Sequence, residues 1–260
     1  MQSEEKGGNK IEKDNKVSKK EKGQAKVERL AELVGKKPVS LEWHMRRFFG
    51  PCLPMLKYAR VLDVGCEKKA TTFYAALCGA KEVVGLDPET SGSTAGSTQT
   101  FSKIRQELGL VQCVHNPIDF LTYSSKNPFD LVLLYNSINH ICEVTSDIQR
   151  DEAAHKSQSR VIAKIADVLK VNGWVILYDA SRRNLFGDLR LPSPLAPTIN
   201  WKTHQTLGAW RRLLAEHGFG NFHHNWYVPY IIPWARLLLD NPVSNYLTFS
   251  HFVLRDRKIQ

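Results

Sequence analysis

Five short runs of almost unbroken apolar residues mark the middle of the chain: Arg60 to Gly65 (RVLDVG), Glu82 to Asp87 (EVVGLD), Val111 to His115, Phe129 to Tyr135 (FDLVLLY) and Trp174 to Asp179 (WVILYD). Runs this continuous leave no face for water, which predicts strands covered on both sides in a parallel sheet. Between them the period changes to that of a helix, at Thr71 to Leu77, in a stretch ending with Phe101 to Leu108, and at Val161 to Leu169. In the last of these Val161, Ile162, Ile165, Val168 and Leu169 share one face. Strand and helix in alternation predict an α/β fold, a doubly wound sheet with helices on both faces. Beyond the fifth strand, Ser181 to Asn200 reads as a loop with three prolines, and a helix through Leu207, Trp210, Leu213 and Leu214 closes at His217-Gly218. Asn221 to Tyr230 and Tyr246 to Arg255 are the last two strand candidates, on either side of an amphipathic piece at Trp234 to Leu239. No internal repeat is present.

The pattern also divides the chain. Residues 1–37 hold hardly a large apolar side chain before Val27, so little burial offsets the entropy of ordering them, and they read as a disordered basic tail. Folded structure is expected over 38–260, starting with a helix that Ser40 can cap and that carries Leu41, Trp43, His44, Phe48 and Phe49 as far as Gly50-Pro51.

Composition narrows the class. With 260 residues and 42% apolar content the chain can bury a full core. Its formal charge of +10 would favour phosphate-bearing partners if it were gathered on one face. The first 37 residues carry 11 basic and 7 acidic side chains, so four of the ten surplus charges sit in a tail of mixed sign. No apolar run approaches the roughly 20 residues of a membrane span, and the charged N-terminus is not expected to act as a signal sequence. Five scattered cysteines with no C-x-x-C spacing fit reduced thiols rather than disulfides or a zinc site, so a cytoplasmic location is expected.

In such a sheet, ligands bind beyond the carboxyl ends of the strands where the winding reverses. The first run ends Val61-Leu62-Asp63-Val64-Gly65-Cys66 and the second Gly85-Leu86-Asp87-Pro88, one crossover apart. An acid closing the second strand can accept both hydroxyls of a ribose. With these residues the chain resembles the class I S-adenosylmethionine-dependent methyltransferases, whose first motif reads roughly V-L-D-V-G-C-G-x-G. Phe129-Asp130-Leu131-Val132, the segment Asn136 to His140, Lys170 to Trp174 and Glu216 to Phe219 are similar to that family's later motifs, in order, and the likeness runs over about residues 40 to 255. It implies a Rossmann-like seven-stranded sheet, mostly parallel with the last strand antiparallel, and S-adenosyl-L-methionine as cofactor. It also implies that Asp63, Gly65 and Cys66 hold the methionyl part, Asp87 followed by Pro88 the ribose, Ile118 or Asp119 the adenine edge, and Asn136 the sulfonium end.

One departure stands out. Glu67, Lys68 and Lys69 occupy the positions where G-x-G is expected, and glycine there lets the backbone approach a ligand. Either the loop is re-routed and other contacts hold the cofactor, or the fold has lost it. The absence of G-x-G-x-x-G after the first strand argues against a nicotinamide dehydrogenase.

Methyl transfer is an in-line displacement whose protein contribution is mainly alignment. Only a protonated acceptor needs a base, and His140 is the first candidate, His204 the second. Arg182 and Trp201 are candidates for holding the acceptor, a small molecule on this reading. Blander roles exist for each: Cys66 as a buried filler, His140, His204 and Trp201 as packing, Arg182 as solvated surface. A nucleic-acid methyltransferase and a non-catalytic scaffold remain as other classes. The first lacks a base-stacking box after the fourth strand, and the second is motivated by Glu67 and Lys69.

Overall fold

A computed structural model describes residues 21, 23–67, 69–89, 96–194, 197, 199–227, 240–248 and 250–260. Seven strands form one sheet: β1 (Arg60–Val64), β2 (Glu82–Leu86), β3 (Cys113–Asn116), β4 (Phe129–Tyr135), β5 (Leu169–Ala180), β6 (His223–Tyr227) and β7 (His251–Arg257). Their order is β3-β2-β1-β4-β5-β7-β6. β1 runs parallel to both neighbours, pairing Leu62 with Val84 of β2 and with Val132 of β4. β7 lies antiparallel between β5 and β6. The winding therefore reverses between β1 and β4, and a crevice opens beyond their carboxyl ends.

Alternate residues of the central strands feed two cores, one on each face. Val61, Val83, Leu131, Leu133 and Ile176 belong to one, and Leu62, Val84, Val132, Leu134 and Val175 to the other. Each such side chain contributes about 1.5–3 kcal/mol by leaving water, which is why the runs are apolar at every position. The first core is covered by helices α1 (residues 23–33), α2 (Pro38–Phe49), α3 (Ala70–Leu77) and α4 (Ser97–Leu108). The second is covered by α6 (Glu152–Val168) and α8 (Leu207–Glu216), with the short α5 (Ile138–Ile141) lying beyond β4 and α7 (Leu185–Asp188) beyond β5. None of the helices among the described residues is long and apolar enough to cross a membrane.

Three sequence expectations are corrected. The tail expected to reach residue 37 is helical over 23–33, with Leu30 and Ala31 fully buried against the first core. Lys26 Nζ donates to Leu108 O at 2.9 Å, and Arg29 is paired with Glu107, both at the end of α4. A few apolar residues at helical spacing were enough once a partner surface existed, which the charged composition concealed. The tail's residues 1–20 lie outside the described residues. Second, α2 starts at Pro38 rather than after Ser40, because proline is already set for the first helical position. Third, the strand expected over Tyr246 to Arg255 begins only at His251. Pro242–Leu247 is a helix, capped by Asn241 Oδ1 accepting from Ser244 N at 2.9 Å. The piece expected at Trp234 to Leu239 lies outside the described residues.

One buried cation fastens the cap that α1 and α2 form over the first core to the sheet. Arg255 of β7, 1% exposed, donates from Nε to Phe48 O and from Nη1 to Asn225 Oδ1, both at 2.9 Å, and also to Arg47 O. Gly50 ends α2 with φ 51°, and a Cβ there would stand 2.8 Å from the Arg255 guanidinium, so glycine is required on both counts.

Candidate active site

The crevice beyond β1, β2 and β4 is a cleft enclosing about 690 Å³ out to its open mouth. Of the residues that the sequence marked for the cofactor, Gly65, Asp87, Pro88, Ile118, Asp119 and Asn136 line it, and so does His140. Asp87 closes β2 almost fully buried, its backbone N–H bonded to Asn116 O and its Oδ1 accepting from Glu89 N at 3.2 Å. Asp119 Oδ1 accepts from Leu121 N at 2.7 Å, a local turn that leaves Ile118 41% exposed on the cleft wall. Asn136 leaves β4 with φ 50°, a conformation asparagine tolerates. The next residue, Ser137, donates from Oγ to Val64 O at 2.6 Å and so ties the tips of β4 and β1 together. Ser137 was not singled out by sequence reasoning, and its place directly after Asn136 was the available signal.

Asp63 and Cys66 are not on the cleft wall. Asp63 is completely buried beneath it, and its Oδ2 accepts from Thr71 Oγ1 at 2.6 Å and Thr72 Oγ1 at 2.7 Å. Burial pushes its carboxyl above the ordinary value, against those two bonds and Lys69. It is a positioning residue that locks the first turn of α3 to β1. Cys66 fills the space that the missing side chain of Gly85 leaves, a Cβ there meeting Cys66 Sγ at 2.6 Å. Burial pushes its thiol well up, so it stays a neutral filler.

The loop between β1 and α3 departs from ordinary backbone at one of the expected glycine positions. Glu67 holds φ 38°, the left-handed region, where a non-glycine residue costs about 1–2 kcal/mol. Lys69, at the third expected glycine, has ordinary angles and precedes the first turn of α3. Its Nζ donates to Gly65 O and to Tyr135 O, each at 2.7 Å, and lies 3.9 Å from Glu67 Oε1.

A second cavity of about 940 Å³, counted likewise, adjoins the cleft and shares Glu67 and Lys69 with it. Its other walls include Leu33 at the end of α1, Val34 and Lys36 just after it, His44 and Met45 of α2, Thr71 of α3 and Tyr135. Tyr135 and Tyr178 are stacked at 4.4 Å, and His44 meets both edge-on at 5.6 and 5.9 Å. Burial, with Lys36 and Arg47 nearby, lowers the His44 pKa to about 4, so its imidazole is neutral at pH 7.

The remaining candidates lie elsewhere. His204 is buried with Nδ1 2.8 Å from Asp179 Oδ1, and it lines neither cavity. Arg182 is spent on loop structure, its guanidinium bonded to Thr145 O and Lys202 O. Trp201 packs over Gly187, where a Cβ would come within 3.3 Å of its ring.

Residues 62–177 match the family model described as methyltransferase domain. No curated protein shows a significant sequence match. The fold is similar to a structure from Listeria monocytogenes described as an S-adenosylmethionine dependent methyltransferase, with 16% identity over 84% of this chain and 98% of that one and a TM-score of 0.57. It is also similar to a structure from Galdieria sulphuraria described as a sarcosine dimethylglycine methyltransferase, at 13% identity, 85% and 88% coverage and TM-score 0.57. The N-methyltransferase NodS from Bradyrhizobium japonicum, solved in complex with S-adenosyl-L-homocysteine, gives 13% identity, 84% and 87% coverage and TM-score 0.51.

Proposed function

We propose that the chain is an S-adenosylmethionine-dependent methyltransferase acting on a small-molecule acceptor, a reading supported by the match of residues 62–177 to a methyltransferase domain and by the likeness of the fold to such enzymes. The observation that carries this reading is the cleft itself, where Asp87, Pro88, Ile118 and Asp119 converge at the point where the winding of the sheet reverses. The donor set fits a nucleoside. Asp87 is a buried acceptor at the tip of β2, suited to two ribose hydroxyls, and Ile118 and Pro88 offer apolar surface to a base whose edge Asp119 can take as hydrogen-bond acceptor. Asn136 and Gly65 line the same cleft. Bound there, S-adenosylmethionine supplies an electrophilic methyl group.

The protein's own task is then to orient the acceptor and keep water out. The second cavity suits a small, partly apolar acceptor: it lies beside the cleft, with an aromatic floor at Tyr135 and an apolar rim at Leu33, Val34 and Met45. Where the acceptor carries a proton, His140, exposed on α5 and lining the cleft, is the candidate base. All five cysteines are free thiols, which supports a reducing compartment and hence the cytoplasm.

Calorimetric titration with S-adenosylhomocysteine tests the reading. Asp87→Ala is expected to weaken binding by about 1–3 kcal/mol through loss of charge-assisted hydrogen bonds. Unchanged affinity would move the ribose site elsewhere, and no heat with the unaltered protein at millimolar ligand would assign the chain to the non-catalytic scaffolds.

A further inference from the structure

Lys69 lies at the boundary between the two cavities and contributes to the wall of both. Its side chain turns back from the start of α3 across the tips of the central strands. There its ammonium has a nearly complete set of partners: Gly65 O and Tyr135 O at 2.7 Å, Glu67 Oε1 at 3.9 Å, and the Tyr135 ring centroid at 6.0 Å. Only 17% of the side chain is exposed. Two main-chain carbonyls, a carboxylate and a ring face form a binding site for a primary ammonium, and the chain fills that site with its own.

The carbonyls belong to the ends of β1 and β4, which Asp63, Thr71 and Ser137 hold in place, so the site persists when the lysine leaves. The lysine itself can leave. Its four-carbon stem turns by rotamer changes alone, and the second cavity lies beside it. A methyl donor of the proposed class carries an ammonium on its amino-acid arm, and like charges do not share one site.

We propose that Lys69 is a tethered occupant of the cation subsite of this cleft. In the ground state the cleft then accepts adenosyl ligands without an amino-acid ammonium, and it admits the amino-acid arm only when Lys69 swings into the second cavity. This rests on the nucleoside reading above, and it adds a residue that selects among adenosyl compounds.

The test compares two ligands with one adenosyl group. S-adenosylhomocysteine has the amino-acid arm, whereas 5′-methylthioadenosine lacks it. Both are titrated calorimetrically into the full chain and into Lys69→Met and Lys69→Gln. Removing the competing ammonium is expected to tighten S-adenosylhomocysteine by roughly tenfold in Lys69→Met and by less in Lys69→Gln, with methylthioadenosine within about twofold throughout. Weaker binding of S-adenosylhomocysteine in both variants would overturn the proposal, because Lys69 would then be a partner of the arm's carboxylate. An equal change for both ligands would overturn it too. Should neither ligand bind any of the three proteins, the nucleoside reading itself falls and takes this inference with it. Methylthioadenosine, whose binding does not depend on Lys69, separates the two failures.

Discussion

The two ends of the cleft are built differently. The end at Asp87 is made of strand tips: Asp87 and Pro88 follow β2 directly and Gly65 follows β1, and their positions are fixed by ladder pairs such as Val64 with Leu86. The other end is made where separate elements meet: α1 and α2 from the start of the chain, the loop carrying Glu67 and Lys69, and the tyrosine pair of β4 and β5. The first is as rigid as the sheet. The second is only as fixed as the contacts that hold the cap down, so substitutions there should alter one end and spare the other.

The largest separation is expected from Arg255→Leu. Three acceptors, Phe48 O, Arg47 O and Asn225 Oδ1, lose their donor, and at about 1–3 kcal/mol each the domain should lose about 4 kcal/mol in a denaturant titration. Methylthioadenosine affinity should persist in the folded fraction, because β1 and β2 are untouched. A loss under about 1 kcal/mol would show that the cap is held by its apolar face alone.

His44 provides a pH-dependent version of the same comparison. Its folded pKa of about 4 lies below the ordinary 6.5, so the unfolded chain binds the proton more readily. The stability this contributes is complete above pH 6.5 and is lost as pH falls toward 4, by about 3 kcal/mol in all. His44→Leu should remove that slope. Parallel unfolding curves for the two proteins at pH 7, 5.5 and 4.5 would refute the assignment.

The smallest effect is expected at the boundary. Glu67→Gly relieves a left-handed residue at the expense of a looser unfolded chain, and a net gain of about 0.5–1 kcal/mol is expected from thermal unfolding. A loss would mean that the Glu67 carboxylate, 3.9 Å from Lys69, holds the boundary more firmly than its backbone strains it.

The central strands were legible because each is apolar on both faces, and periodicity reports that directly. That Asp87 and Pro88 border the cleft was legible for a related reason, since a residue at a strand tip is placed by its own strand. Asp63 within β1 and Cys66 just after it still miss the cleft, because the side to which each side chain turns is set by α3 and by the absent side chain of Gly85. His204 and Arg182 were chosen by residue type on a loop, where type does not fix a partner, and they turned to Asp179 and to loop carbonyls.

By itself, then, the sequence determined the sheet, its two cores and the acid at the tip of β2, all of which follow from period and from position along a single strand. Only the tertiary structure decided that residues 23–33 are part of the folded domain and that Lys69 fills the site between Gly65 and Tyr135. The reason is physical: burial of an amphipathic segment and the partner of a long cationic side chain depend on surfaces tens of residues away, and local pattern carries no record of them.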